Sequence, residues 1–265
     1  ARVEDCSFDE GSYGLRVQGA PGLAVVAVRA TGQRVAGIAV ADAANTVVAN
    51  SIVRDSGGHG ILVERGSPAY LRNNLVVDTS NWGIDVDDAA QAAVGTGHVL
   101  AFNTVVRCCA AAGAGGIRLS HATGEVRDNL LADDAPIGLR VDTPGAIVHH
   151  DLVFGSPTPI SPEGYGIGGG MLWTDPVFAT GDPDHPFALS QTAAGQAADS
   201  PAVDAGSAGV PTRDIGGSTR TDLVADEGFA DLGFHAAAPA PGGAPPPVKP
   251  TTLWVNCATG DDLRG

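Results

Sequence analysis

Along the first two-thirds of the chain, apolar residues come in short runs closed by Gly, Asn or Asp. Six runs share one frame: Tyr13-Gly-Leu-Arg-Val17, Ala36-Gly-Ile-Ala-Val40, His59-Gly-Ile-Leu-Val63, Trp82-Gly-Ile-Asp-Val86, Gly115-Gly-Ile-Arg-Leu119 and Ile137-Gly-Leu-Arg-Val141. The glycines Gly14, Gly37, Gly60, Gly83, Gly116 and Gly138 are spaced 23, 23, 23, 33 and 22 residues apart, the long interval predicting an insertion split between 88–97 and 108–115. Alternation within each run predicts strands with Ile and Val facing inward. Gly (37) and Pro (18) are frequent, and no long stretch carries helical periodicity, so long helices and coiled coils are not expected.

A second marker runs out of phase with the first: Asn50-Ser-Ile-Val53, Asn73-Asn-Leu-Val76, Asn103-Thr-Val-Val106, Asp128-Asn-Leu-Leu131 and His150-Asp-Leu-Val153. A unit of 23 residues cannot bury its own apolar face, so such units must stack. Stacked Asn side chains can bond one another along the stack. The predicted fold is all-β: a right-handed parallel β-helix, a solenoid of coils of about 23 residues with a β-rich C-terminal cap. These repeats resemble the pectate-lyase-like right-handed parallel β-helix superfamily over residues 1–178, a resemblance that implies a fold and little about chemistry.

After Phe178 the pattern changes. Thr-Asp-Pro-Val-Phe178, Ser200-Pro-Ala-Val-Asp-Ala-Gly206, Asp214-Ile-Gly-Gly-Ser-Thr-Arg220 and Ala230-Asp-Leu-Gly-Phe234 together resemble the choice-of-anchor Q domain, with His235 where that family usually has an acidic residue. The expected organisation is a β-helix over 1–178, this cap over 179–235, a Pro-rich linker over 236–250 and the start of a following module over 251–265. Asp204, Arg220 and Asp231 are expected to form a structural ionic cluster within the cap, which would close the solenoid's end. The competing expectation for the tail is that Leu253-Trp254-Val255 folds back as an edge strand and brings Cys257 near Cys6. The absence of an opening cap in the sequence suggests a piece of a larger, multi-module, secreted or cell-surface protein.

Charge narrows the partners. Lys and Arg number 15 against 30 Asp and Glu, a net charge of −15, which argues against nucleic acid and anionic membrane surfaces. The longest apolar stretch, Leu23 to Val28, is far too short for a transmembrane helix. An Asp-rich surface is compatible with Ca²⁺, though no cofactor is required. Cys6, Cys108, Cys109 and Cys257 lack zinc-ligand spacing, and at most one of the adjacent pair is easily buried.

Equivalent residues of successive coils should stack about 4.8 Å apart. One face would then gather His59, Glu64, Trp82, Asp85, Asp87, Arg118, Arg140 and Asp142. Sugar-binding grooves use this mixture: a ring for stacking, carboxylates for hydroxyls and guanidinium groups for uronates. Trp82, Asp85, Arg118 and Arg140 are the expected glycan-binding residues. Asp85, Asp87, Arg118 and His59 are the catalytic candidates, for a glycoside hydrolase needing paired carboxylates or for a polysaccharide lyase acting on an acidic polymer. Gly58-His59-Gly60 matches one element of polygalacturonases without the rest of their signature. His98, His121, His149 and His150 read as turn or surface residues. The function expected first is a module that displays or binds polysaccharide alongside neighbouring modules of its own chain; catalysis and a purely structural spacer follow.

Overall fold

The computed structural model describes residues 1–66, 68–89, 95–109, 113–162, 166–182, 185–208, 215–225 and 228–236. Expectations for the Pro-rich linker and for the segment containing Trp254 and Cys257 lie outside them.

Three seven-stranded sheets wind together, each coil giving one short strand to each sheet. The first sheet runs from Arg2–Glu4 to Ile147–His149, the second from Ser7–Asp9 to Leu152–Phe154, and the third from Tyr13–Gln18 to Thr158–Ser161. All neighbours in the three sheets are parallel, in register as in Ile61↔Ile84↔Ile117 of the third sheet, except for one shift between Gly95 and His98 in the first. The chain is a parallel β-solenoid of about seven coils. The expected alternation holds: Ile38, Val40, Ile61, Val63, Ile84 and Val86 point into one continuous core with Leu71, Leu100 and Val126.

The repeat glycines line up in one column, since Tyr13 pairs with Ala36 and Ile61 with Ile84 around them. The reason is steric. A Cβ at Gly37, Gly60 or Gly83 would overlap Cγ1 of Val53, Val76 or Val105, inward side chains of the second sheet. At Gly116 it would lie 2.8 Å from Leu131 Cδ2. The third sheet therefore bends tightly over the second only where no side chain intervenes.

The second marker contains two columns. Asn50, Asn73, Asp128 and His150 occupy left-handed corners with φ between 52° and 58°. Asn103 belongs one position later, with Asn74, Asn129 and Asp151, and there the predicted ladder forms inside the solenoid. Asn74 Nδ2 donates to Asn103 Oδ1 (2.9 Å), Asn103 Nδ2 to Asn129 Oδ1 (2.9 Å), and Asn129 Nδ2 to Asp151 Oδ1 (2.9 Å). Each amide also donates to a strand carbonyl: Val48, Leu71 or Leu100. Each Oδ1 accepts a second bond from the same neighbour's backbone N–H. Full satisfaction makes a buried polar column affordable. At its end Asp151 Oδ2 has no hydrogen-bond partner among the described residues, and burial pushes this carboxyl up to about 8 against the two N–H donors. Cys108 is buried and Cys109 half-buried, as adjacency predicts.

Residues 166–172 continue the winding over the last coil: Val148 N–H donates to Gly166 O and Val153 N–H to Leu172 O. The described residues that follow lie along the outer face of the second sheet, where Leu189, Ala202 and Leu232 pack on Val106, Leu130 and Leu152. The corner residues of the second marker hold them there. Asp128 accepts from Ser207 N–H (2.6 Å) and Oγ (2.8 Å), while Asn73 exchanges bonds with His235 N–H (2.6 Å) and O (2.9 Å). In the anticipated cluster, Arg220 pairs with Asp222 (Nη2–Oδ2 2.6 Å) and donates to Ala193 O. Asp231 instead accepts from Thr219, from Gln191 (3.1 Å) and from Asp204 N–H (2.8 Å). Arg220, Asp204 and Asp231 line one cavity of about 480 Å³.

Candidate functional site

Three consecutive strands of the third sheet, His59–Glu64, Ile84–Asp87 and Gly115–Ser120, carry most of the expected face. Register places Leu62, Asp85, Arg118 and Arg140 in one column and Glu64, Asp87 and Ser120 in the next. His59, Leu62, Glu64, Asn81, Trp82, Asp85, Asp87 and Arg118 line an open cleft of about 250 Å³. Arg140 stands one coil further on, bound to Asp142 (2.6 Å), and is not part of that lining.

Arg118 organises the cleft. Its Nε donates to Asp85 Oδ1 (2.7 Å), and its Nη2 to both Asp85 Oδ2 (2.9 Å) and Asp87 Oδ2 (2.9 Å). The guanidinium also sits 5.9 Å from the centroid of the Trp82 ring. Trp82 is only 3% exposed, so it is a floor beneath Arg118 and not the open stacking plate expected. Burial opposes the charge on Arg118, but Asp85, Asp87 and Asp142 together outweigh it and raise the pKa, so this guanidinium keeps its proton and is a poor base.

Asp85 points outward by alternation yet is 1% exposed. Burial pushes its carboxyl up to about 6, with Arg118 opposing the rise. Burial, with Arg118 nearby, pushes His59 down to about 4, leaving a neutral imidazole at neutral pH. Trp82 N–H donates to Asn81 Oδ1 (3.0 Å), which turns Asn81 Nδ2 toward His59 Nε2 (3.1 Å). With Nε2 accepting, the His59 hydrogen resides on Nδ1, 3.4 Å from Asp85 Oδ2. Asp87 also accepts from Ala89 N–H (2.9 Å) and meets His121 Nδ1 at 3.2 Å.

Asn81 and His121 were not among the anticipated site residues. The Asp88–His98 pair was also missed. His98 is no surface residue: its Nε2 meets Asp88 Oδ2 at 3.0 Å in the interior, and its Nδ1 accepts from Ala69 N–H (3.3 Å). A Cβ at Gly95 would overlap Asp88 Oδ2. The pair therefore staples the insertion beside Asp87 to the solenoid.

The geometry defines a repetitive parallel β-solenoid with a charged cross-coil cleft. Residues 1–138 match the family described as periplasmic copper-binding protein (NosD). The match covers just over half of the chain, which belongs to this family. No curated protein matches it.

Copper favours imidazole and sulfur ligands. Among the described residues no group of three or more His, Cys, Asp or Glu side chains is arranged to hold a metal ion, Ca²⁺ included. The imidazoles of the matched segment face protein groups: His59 with Asn81, His98 with Asp88 and Ala69, His121 with Ser120 and Asp87. His149 and His150, just beyond that segment, turn their Nδ1 atoms toward each other at 2.9 Å, so the described residues do not fit a copper ion.

Proposed function

We propose that the chain is an extracytoplasmic β-solenoid module that binds glycan at the third-sheet cleft. The observation that carries this reading is the cleft itself: a polar opening of about 250 Å³ lined from three coils, in which Arg118 fixes Asp85 and Asp87 of the neighbouring coil. Such a site is preorganised, so little ordering entropy opposes binding. Asp87, Glu64 and Asn81 offer the mixture of acceptors and donors that sugar hydroxyls take. Arg118 already holds two carboxylates, which favours a neutral, hydroxyl-rich chain over the uronates expected of it. Arg140 would touch only a ligand longer than the cleft. The extracytoplasmic setting is supported by the periplasmic description of the family. Attachment to neighbouring modules through the Pro-rich stretch belongs to the same reading.

Hydrolysis is the second reading, favoured by Asp85. A buried carboxyl near 6 beside a second carboxylate, Asp87, is suited to general-acid work. One experiment separates the readings: a panel of neutral and acidic polysaccharides, followed for binding and for new reducing ends or unsaturated products. Binding without products supports the first reading and products support the second. Neither one leaves a structural spacer.

A further inference from the structure

The first coil forms one edge of all three sheets. Among the described residues, Arg2–Glu4 pairs only with Ala24–Val26, Ser7–Asp9 only with Arg29–Thr31, and Tyr13–Gln18 only with Ala36–Ala41. An end coil without a cover would expose its inward side chains. Here Val3, Cys6 and Leu15 are buried, none more than 6% exposed.

Cys6 points to what lies over them. It follows a left-handed corner, Asp5 (φ 54°), and opens the column that continues as Val28, Ser51 and Asn74. The backbone repeats show it: Arg29 N–H donates to Cys6 O, Ile52 N–H to Val28 O and Leu75 N–H to Ser51 O. This is the interior column of the asparagine ladder. Cys6 is disulfide-bonded, whereas Cys108 and Cys109 are free. The sequence holds one further cysteine, Cys257.

Length permits that partner. His235 is bonded to the corner residue Asn73, and the corners Asn73, Asn50, Ala27 and Asp5 follow strands paired in successive coils. Three coil spacings are about 14 Å. Residues 237–256, rich in Pro, can span about 60 Å as polyproline II. Register fits as well. With Cys257 over Cys6, Asn256 falls over the corner residue Asp5 and Trp254 over the inward Val3. Asn suits a left-handed corner, and neighbouring parallel strands hold their Cα atoms within disulfide reach.

We infer that Cys257 is the partner of Cys6, and that residues 253–257 lie as one further strand on the edge of Arg2–Glu4, with Trp254 closing the core over Val3. The Pro-rich stretch is then the strap that brings the start of the following module to the first coil. The bond forms by thiol–disulfide exchange with an oxidised dithiol carrier of the kind that extracytoplasmic compartments hold. The sulfur–sulfur bond of Cys6 and Cys257 forms as the carrier's disulfide is reduced to two thiols, which take up the two protons. This inference stands apart from the glycan-binding reading of the cleft.

The test uses the full chain, kept from reductant, alkylated under denaturing conditions and mapped by mass spectrometry. The expected map joins Cys6 to Cys257 and finds Cys108 and Cys109 alkylated. Hydrogen exchange across 252–256 should be as slow as across Arg2–Glu4, and about tenfold faster or more after dithiothreitol or in Cys257→Ser. Dithiothreitol should lower the wild-type melting temperature by roughly 5 °C and leave that of Cys257→Ser unmoved. Four alkylated cysteines, a Cys6–Cys6 bond between two copies, or a Cys6–Cys257 bond with 252–256 exchanging freely would overturn the inference.

Discussion

Two polar columns cross the coils of this solenoid, and they behave differently. The Asn74–Asn103–Asn129 ladder runs inside, and its amides bond the coils on either side. The Leu62–Asp85–Arg118 column runs along the outer face of the third sheet, where Arg118 binds two carboxylates and the group opens onto a cleft. A column that satisfies itself entirely holds coils together and can do little else. A column that keeps carboxylate oxygens at an opening can also meet a ligand. The difference lies in where each column sits, since both are held by cross-coil hydrogen bonds between polar side chains.

The comparison can be broken most severely from the inside. Gly60→Val puts side-chain atoms where Val76 Cγ1 and the Gly83 carbonyl already lie. Overpacking with no room to relax should cost at least about 3 kcal/mol, read as a lower urea midpoint or as insoluble expression. Asn103→Leu should cost about 2–4 kcal/mol by chemical denaturation, because it strands Asn74 and Leu71 O within the ladder.

Charge sharpens the contrast through pH. Asp151, near 8, and Asp85, near 6, both have folded values above the usual carboxylate range. Each binds its proton more tightly when folded, so its contribution is fully present below about pH 4 and is lost as pH rises through the folded value. Stability should therefore fall from pH 4 toward 8. Asp151→Asn, which completes the ladder with an amide, should flatten that slope and stabilise the chain by about 1 kcal/mol or more at pH 8. Asp85→Asn should flatten only the part below about pH 7. The smallest effect on stability belongs to Asp87→Asn, within about 0.5 kcal/mol, since Asp87 is partly exposed.

The coil was legible because stacking imposes a period, and the glycine spacing read the third sheet's register correctly. Why glycine is needed was not legible: the obstructing Val53, Val76 and Val105 lie on another sheet. The second marker merged two columns because Asn serves both left-handed corners and ladders, and only the fold separates Asn73 from Asn74. For the candidate site, repetition brought Asp85, Asp87, Arg118 and His59 together correctly, while Trp82 misled because alternation gives a direction and says nothing of what lies on top. Asp88–His98 stayed hidden inside the insertion, where no repeat applies. The seat of the C-terminal region was not legible for a related reason: its partners, Asn73 and Asp128, are corner residues buried beneath it, and such contacts leave no periodic trace.

The central claim is that the third-sheet cleft is a binding site, and the direct measurement is calorimetry of wild type and Asp87→Asn against neutral and acidic oligosaccharides. At least one neutral glycan should bind wild type and bind the variant about tenfold more weakly, a loss of roughly 1.4 kcal/mol, with the melting temperature unchanged. Identical isotherms for the two proteins across the panel, or heats from neither, would contradict it.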